Sequence, residues 1–247
     1  GRKNLKKTKL GQETSRRTLG GHLGTSRASL GTILGYFWAN KGANIDNAKH
    51  KNAIEEIYKH NDVLVGKVME GLKDDDALIV LSDHGFNSFQ RGVNLNAWLQ
   101  KEGFLTLKEG ATGESEWLQD VDWSRTKAYS LGLSGMFLNM KGREAQGIVE
   151  PGEEEKAVKN TIIAKLGGIK DDGRGVVGIR EVFDTRVIYE GPYSENAPDL
   201  VIGYNDGYRI SWDCATGMVA GPVFEDNIKA WSGDHCVDPR LVPGVFF

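Results

Sequence analysis

The sequence predicts an α/β fold built on a mostly parallel sheet flanked by helices, and three features predict it. From His50 to Leu72, apolar residues recur three and four apart (Ile54, Ile57, Tyr58, Val65, Val68, Leu72), the spacing of one helix face. An unbroken apolar run, Ala77-Leu78-Ile79-Val80-Leu81, follows across the acidic turn Asp74-Asp75-Asp76. A second such run, Leu200-Val201-Ile202, lies far downstream. A helix, a tight turn and a strand covered on both faces make half of a βαβ unit, whose strands run parallel.

The elements follow in order. Residues 1–36 hold eight Lys/Arg and one acid, Glu13, a charge of about +7 that leaves about −10 for the rest of a chain whose net charge is −3. This segment is rich in Gly, Ser and Thr, and its few Leu and Ile residues keep no steady period. Such a composition buries too little surface to offset the entropy of ordering it. It is read as a disordered end or an aberrant segment from a shifted frame, with a basic binding arm as the third reading. Order is expected from Phe37 onward, with 37–247 read as one domain. Asn94–Gln100 reads as a short helix or turn, and Tyr129–Met140 as strand-like around Gly132 and Gly135. Pro151-Gly152 followed by Glu153-Glu154-Glu155 reads as a helix start, with acids at the positive end of the dipole. Gly167-Gly168 stops that helix. Val176–Tyr189 reads as one or two strands, and Pro243–Phe247 as a strand.

Composition narrows the function classes. An apolar content of 39% and a charged content of 26% suit a globular domain. No run approaches the length of a membrane span, no leader pattern is visible, and a cytoplasmic location is expected. An acidic body gives no reason to expect a nucleic-acid partner. Cys214 and Cys236 are too few for a disulfide framework and are read as two buried free thiols.

The chemistry lies in two places. Asp83-His84 follows the Ala77–Leu81 run directly, with Gly85 allowing a sharp turn. In open α/β sheets, sites gather where strands end. A carboxylate and an imidazole there suit zinc, or manganese; a helix-capping Asp with an incidental His is the other reading. His235, in Trp231-Ser232-Gly233-Asp234-His235-Cys236, lies on a loop before Asp238-Pro239.

A longer set of residues runs in order through the chain. It comprises Ile79–Phe86, Arg91–Leu99, Gly142–Glu144 with Gly147–Val149, Ala197–Tyr204, Gly207–Trp212, and Trp231–His235 with Pro243–Val245. Together these resemble the type I phosphodiesterase/nucleotide pyrophosphatase branch of the alkaline phosphatase superfamily. The resemblance implies an alkaline-phosphatase-like fold, incomplete here at both ends, and a two-metal site, usually zinc. One ion would take Asp83 and His84 with an upstream Asp. The other would take an Asp-x-x-x-His pair and His235. A Ser or Thr nucleophile would receive the phosphoryl group of a small-molecule phosphate ester.

The pattern departs from the family upstream. Laid on the aromatic pair Phe37-Trp38, the Asp-x-x-x-His positions fall on Gly31 and Gly35, which carry no ligating side chain. Asp46 and His50 have the right internal spacing and would share a helix face, but they sit closer to Asp62 and Asp83 than the family pattern places them. The competing reading is a surface helix with Asp46 as its cap. Thr25 and Ser26 have no strand before them, so the catalytic residues stay unassigned. The sequence thus points to a metal-dependent phosphate-ester hydrolase; the alternative is an inactive piece lacking the nucleophile and part of the metal site.

Overall fold

A computed structural model describes residues 52–133 and 135–247 of the chain. The described residues fall into two units, divided between Asp76 and Ala77. In the first, helix α1 spans Ala53–Gly71, within the stretch expected from periodicity. No described helix is long and apolar enough to cross a membrane.

The second unit, Ala77–Phe247, mixes helices with several small sheets. Strand β1 (Asn87–Val93) runs into helix α2 (Leu95–Lys101), whose first turn is capped by the Asn94 side chain accepting the Ala97 N–H at 3.0 Å. Strands β2 (Ala128–Ser130) and β3 (Gly135–Leu138) precede helix α3 (Glu153–Leu166). As its sequence predicts, α3 opens on acids: the Glu155 carboxylate accepts the Gly152 N–H at 3.3 Å, and Gly167 ends the helix. Next come β4 (Lys170–Asp171), β5 (Val176–Val177), β6 (Ile179–Asp184) and the short helix α4 (Thr185–Ile188). Strands β7 (Leu200–Tyr204) and β8 (Gly207–Ile210), helix α5 (Trp212–Ala215), and strands β9 (Phe224–Asp226) and β10 (Gly233–Asp234) complete the order.

The α/β class holds, but the mostly parallel sheet does not. Among the named strands, only β1 and β8 pair in parallel. Strand β1 pairs antiparallel with β9 and β10 on its other edge, and a second sheet runs β2-β3-β7-β6 entirely antiparallel. The buried Leu200–Tyr204 strand therefore sits among antiparallel neighbours. Being covered on both faces makes a strand uniformly apolar whichever way its partners run. Its inward residues Leu200, Ile202 and Tyr204 join Leu138, Ile162 and Leu166 in one core, all at most 2% exposed.

The Ala77–Leu81 run is a second correction. It forms no buried strand: Ile79 and Leu81 are 60% and 65% exposed. Its backbone pairs along one edge with the segment around Val245–Phe247. Val80 N–H donates to the Phe247 carbonyl at 3.1 Å, Phe247 N–H returns the bond at 2.9 Å, and Leu81 bridges Phe246 antiparallel. The expected Pro243–Phe247 strand is reduced to this pairing. Apolar content reports a tendency to be covered, not the presence of a cover. The two thiols are free, as expected, but Cys214 is buried and Cys236 only half-buried.

Candidate functional site

Antiparallel register brings the site together. Strand β10 pairs with the start of β1, with Asn87 opposite Asp234 and Ser88 opposite Gly233. Continued by one step, that register sets His235 against Phe86, two residues from His84. The rings bear this out: Phe86 and His235 lie 5.9 Å apart, and His84 and His235 stack at 3.9 Å with planes only 2° apart. Two histidines 151 positions apart in sequence thus become direct neighbours.

Glycines permit the close backbone approach beneath them. Gly85 N–H donates to the Val242 carbonyl at 2.8 Å. A Cβ on Gly85 would meet the Pro243 carbonyl oxygen at 2.9 Å, and one on Gly244 would meet the Ser82 carbonyl oxygen at 2.3 Å. The Asp83–His84 turn and the 242–245 segment therefore touch at a spacing no larger residue allows.

The side chains present lone pairs to solvent. The Asp83 side chain is 86% exposed, and its Oδ1 accepts the His84 N–H at 3.0 Å. His84 Nδ1 lies 2.8 Å from the Gly85 carbonyl oxygen. A carbonyl only accepts, so Nδ1 carries the proton, and in the neutral ring Nε2 keeps a free lone pair. That is the arrangement in which a ligating histidine is oriented through its other nitrogen. Nε2 faces Asp83 Oδ2 across 3.6 Å. Two donors each about 2.0–2.2 Å from one zinc at a near-tetrahedral angle sit at about that separation. His235 cannot share the same ion on equal terms, because an imidazole lone pair lies in its ring plane and these planes are parallel.

Donor type therefore fits zinc, whereas donor number falls short. Asp83, His84 and His235 supply three ligand atoms among the described residues, and two catalytic zinc ions take about three protein ligands each. Asp234, His235 and Cys236 also hold potential ligand atoms within 4.8 Å of one another. Asp234 is already committed: Oδ1 accepts the His235 N–H at 2.7 Å and the Cys236 N–H at 2.9 Å, and Oδ2 pairs with Arg209 Nε at 2.8 Å. Burial works against its ionisation, but those two N–H groups and the Arg209 guanidinium hold its carboxyl below the usual range. Burial, reinforced by the Asp234 carboxylate, pushes the Cys236 thiol up to about 11.

Several sequence features find structural roles instead. The Gly142–Glu144 and Ala197–Asp199 motifs meet in an ion pair, with Arg143 Nη1 and Nη2 on the two Asp199 oxygens at 3.0 and 2.6 Å. Asp199 Oδ2 also accepts the Leu138 N–H at 2.7 Å, tying β3 to β7. In α2, Asn96 bonds both backbone groups of Ser130, and Trp98 and Leu99 are core. Tyr204, Tyr208 and Ile210 are likewise buried. Asp62 is an exposed residue of α1. Thr25, Ser26, Gly31, Gly35, Phe37, Trp38, Asp46 and His50 lie outside the described residues, as does the basic segment. The sequence reading placed Arg209 only within the Gly207–Trp212 motif and gave it no role of its own; its one signal there is a lone charge among Tyr208, Ile210 and Trp212.

The family model described as type I phosphodiesterase / nucleotide pyrophosphatase matches residues 36–216, well over half of the chain. The matched stretch includes Asp83 and His84 and stops short of His235. No curated protein matches the chain.

Proposed function

This chain belongs to the type I phosphodiesterase / nucleotide pyrophosphatase family, a family of phosphoric ester hydrolases, and from that premise we propose that it is a metal-dependent hydrolase of small phosphate esters whose ion site is built on Asp83, His84 and His235. The alkaline-phosphatase-like architecture implied by the family is part of the same reading. The observation that carries it is the 3.6 Å separation of Asp83 Oδ2 and His84 Nε2 beside the stacked His235 ring.

Asp83 and His84 would hold one zinc ion, and His235 would serve a second. When bound, zinc supplies Lewis-acid polarisation of the phosphoryl oxygens and makes an oxygen nucleophile more acidic. The residues themselves orient and expose. The Gly85 carbonyl orients the His84 ring, and Asp83 remains open to solvent, where a metal ion can reach it. A second reading is a chain that holds one ion or none and turns nothing over; the three-donor count favours it.

Zinc per chain, measured by elemental analysis on metal-loaded protein, separates the two. The hydrolase reading expects nearly two ions, with Asp83→Ala and His235→Ala each losing about one. Hydrolysis of a chromogenic phosphodiester should fall in both variants. Loaded wild-type protein that retains no zinc would sink this reading.

A further inference from the structure

Arg209 is among the largest fully buried side chains of the described residues, 1% exposed, and it is cationic. Its guanidinium lies between two aromatic faces, 4.3 Å from the Phe89 ring centroid and 4.2 Å from that of Trp212. Nη1 donates to the Ile210 carbonyl at 3.1 Å, and Nε lies 2.8 Å from Asp234 Oδ2, an ion-pair contact whose angle falls outside hydrogen-bond geometry. The other Asp234 oxygen takes the backbone N–H groups of His235 and Cys236. These contacts form an unbroken mechanical path: two rings hold Arg209, Arg209 holds Asp234, and Asp234 holds the backbone of His235, whose ring lies on His84.

A buried ion pair adds little net stability compared with apolar side chains of the same volume. What it supplies is geometry, since a planar guanidinium held between two flat ring faces admits few orientations. Arg209 lies in β8, parallel to β1, and Asp234 in β10 on the opposite edge of β1. The pair therefore crosses the strand that emerges from Asp83-His84 and locks both of its neighbours to one register.

We propose that Arg209 is a positioning residue of the site, acting through Asp234 to set the His235 imidazole against His84. This rests on the reading of His84 and His235 as metal ligands for its functional meaning, but the placement itself is a contact among the chain's own residues.

The test uses that difference. In metal-free, histidine-labelled protein, the ring protons of His84 feel the ring current of His235, and His235→Ala defines their position without it. Arg209→Lys keeps the charge and loses the fork. Asp234→Asn keeps an acceptor for the two N–H groups only by turning its amide NH2 toward the Arg209 guanidinium, donor against donor. Both variants should move the His84 ring resonances toward the His235→Ala position, with the amide spectrum of α3 unchanged. Zinc titrated into the same samples should bind roughly 10–100-fold more weakly than to wild type. If either folded variant leaves the His84 resonances at their wild-type positions, even with a lower melting temperature, the pair is merely structural and the proposal falls. Wild-type protein that binds no zinc defeats the metal reading separately, while the positioning role is decided by the imidazole shifts alone. Should Arg209→Lys fail to fold, Asp234→Asn gives the same decision.

Discussion

Replacing Gly244 by alanine tests whether the close contact under Asp83 shapes the site. The added Cβ would stand 2.3 Å from the Ser82 carbonyl oxygen and 2.9 Å from that of Asp83. These are backbone atoms, so no side chain can swing aside; the two segments must part by roughly 1 Å to restore ordinary contact. Overpacking of this kind costs about 1–3 kcal/mol. The smaller unfolded-state entropy of alanine offsets about 0.4–1 kcal/mol of that. The net loss of about 1–2 kcal/mol corresponds to a melting temperature lower by about 2–8 °C in a domain of this size. The local effect is larger in consequence. The displaced carbonyls, of Ser82 and Asp83, lie in the peptide units that lead into Asp83 and His84, so the 3.6 Å spacing of Asp83 Oδ2 and His84 Nε2 changes. Zinc affinity should drop roughly 10–100-fold, the range seen when groups supporting a ligand are disturbed. Thermal unfolding followed by circular dichroism and a zinc titration read the two effects. A Gly244→Ala protein with wild-type melting temperature and wild-type zinc affinity would refute the reasoning.

Three further outcomes are expected. Asp171 takes Arg91 Nε at 2.7 Å and Nη2 at 2.9 Å, with the Tyr208 hydroxyl donating at 3.0 Å, and Arg91 holds its carboxyl below the usual range despite the opposing effect of burial. Asp171→Ala should destabilise by about 3 kcal/mol, the low end for breaking a buried pair, because Arg91 keeps Asp226 at 3.2 Å. Since the folded-state carboxyl ionises more readily than the unfolded one, its contribution is full above the unfolded value of about 3.9 and vanishes as pH falls through the lower folded value. Denaturant titrations of wild type and Asp171→Asn should therefore converge only in that acid range; convergence near neutrality would contradict the assignment. In α1, a Cβ on Gly66 meets nothing within 4 Å. Gly66→Ala should stabilise by about 0.5–1 kcal/mol, and a loss of stability in the same titration would mean that something covers that face.

The parts of the fold legible in the sequence are those governed by local physics. Helix α3 begins where Pro151-Gly152 and three glutamates meet the unpaired N–H groups of a first turn, and it ends where Gly167 lets the chain turn away. Helix α1 shows in its three-and-four spacing for the same reason. Strand pairing is not local. Leu200–Tyr204 and Ala77–Leu81 are alike as strings of apolar residues, yet one is sealed between β3 and β6 and the other is open on its faces. What separates them is the placement of distant segments, which no window of a few residues encodes. The same limit turned an expected parallel sheet into mostly antiparallel ones.

The site divides along the same line. Asp83-His84-Gly85 announces itself because the chemistry, the turn and its glycine are contiguous. His235 carries little weight on its own loop, and its meaning comes from the β1–β10 register that stacks it on His84. The role of Arg209 was not legible in the Gly207–Trp212 motif for a stronger reason: it comes from Phe89, Trp212 and Asp234, which enclose the side chain from three directions. The ligand atoms are thus readable as residue types, whereas the residues that aim them are readable only as contacts. A change at Arg209, 26 positions from His235, should then alter the site more than a change at exposed Asp213 nearby in sequence. The distance that matters runs through Asp234, and along that path the two residues are separated by one carboxylate.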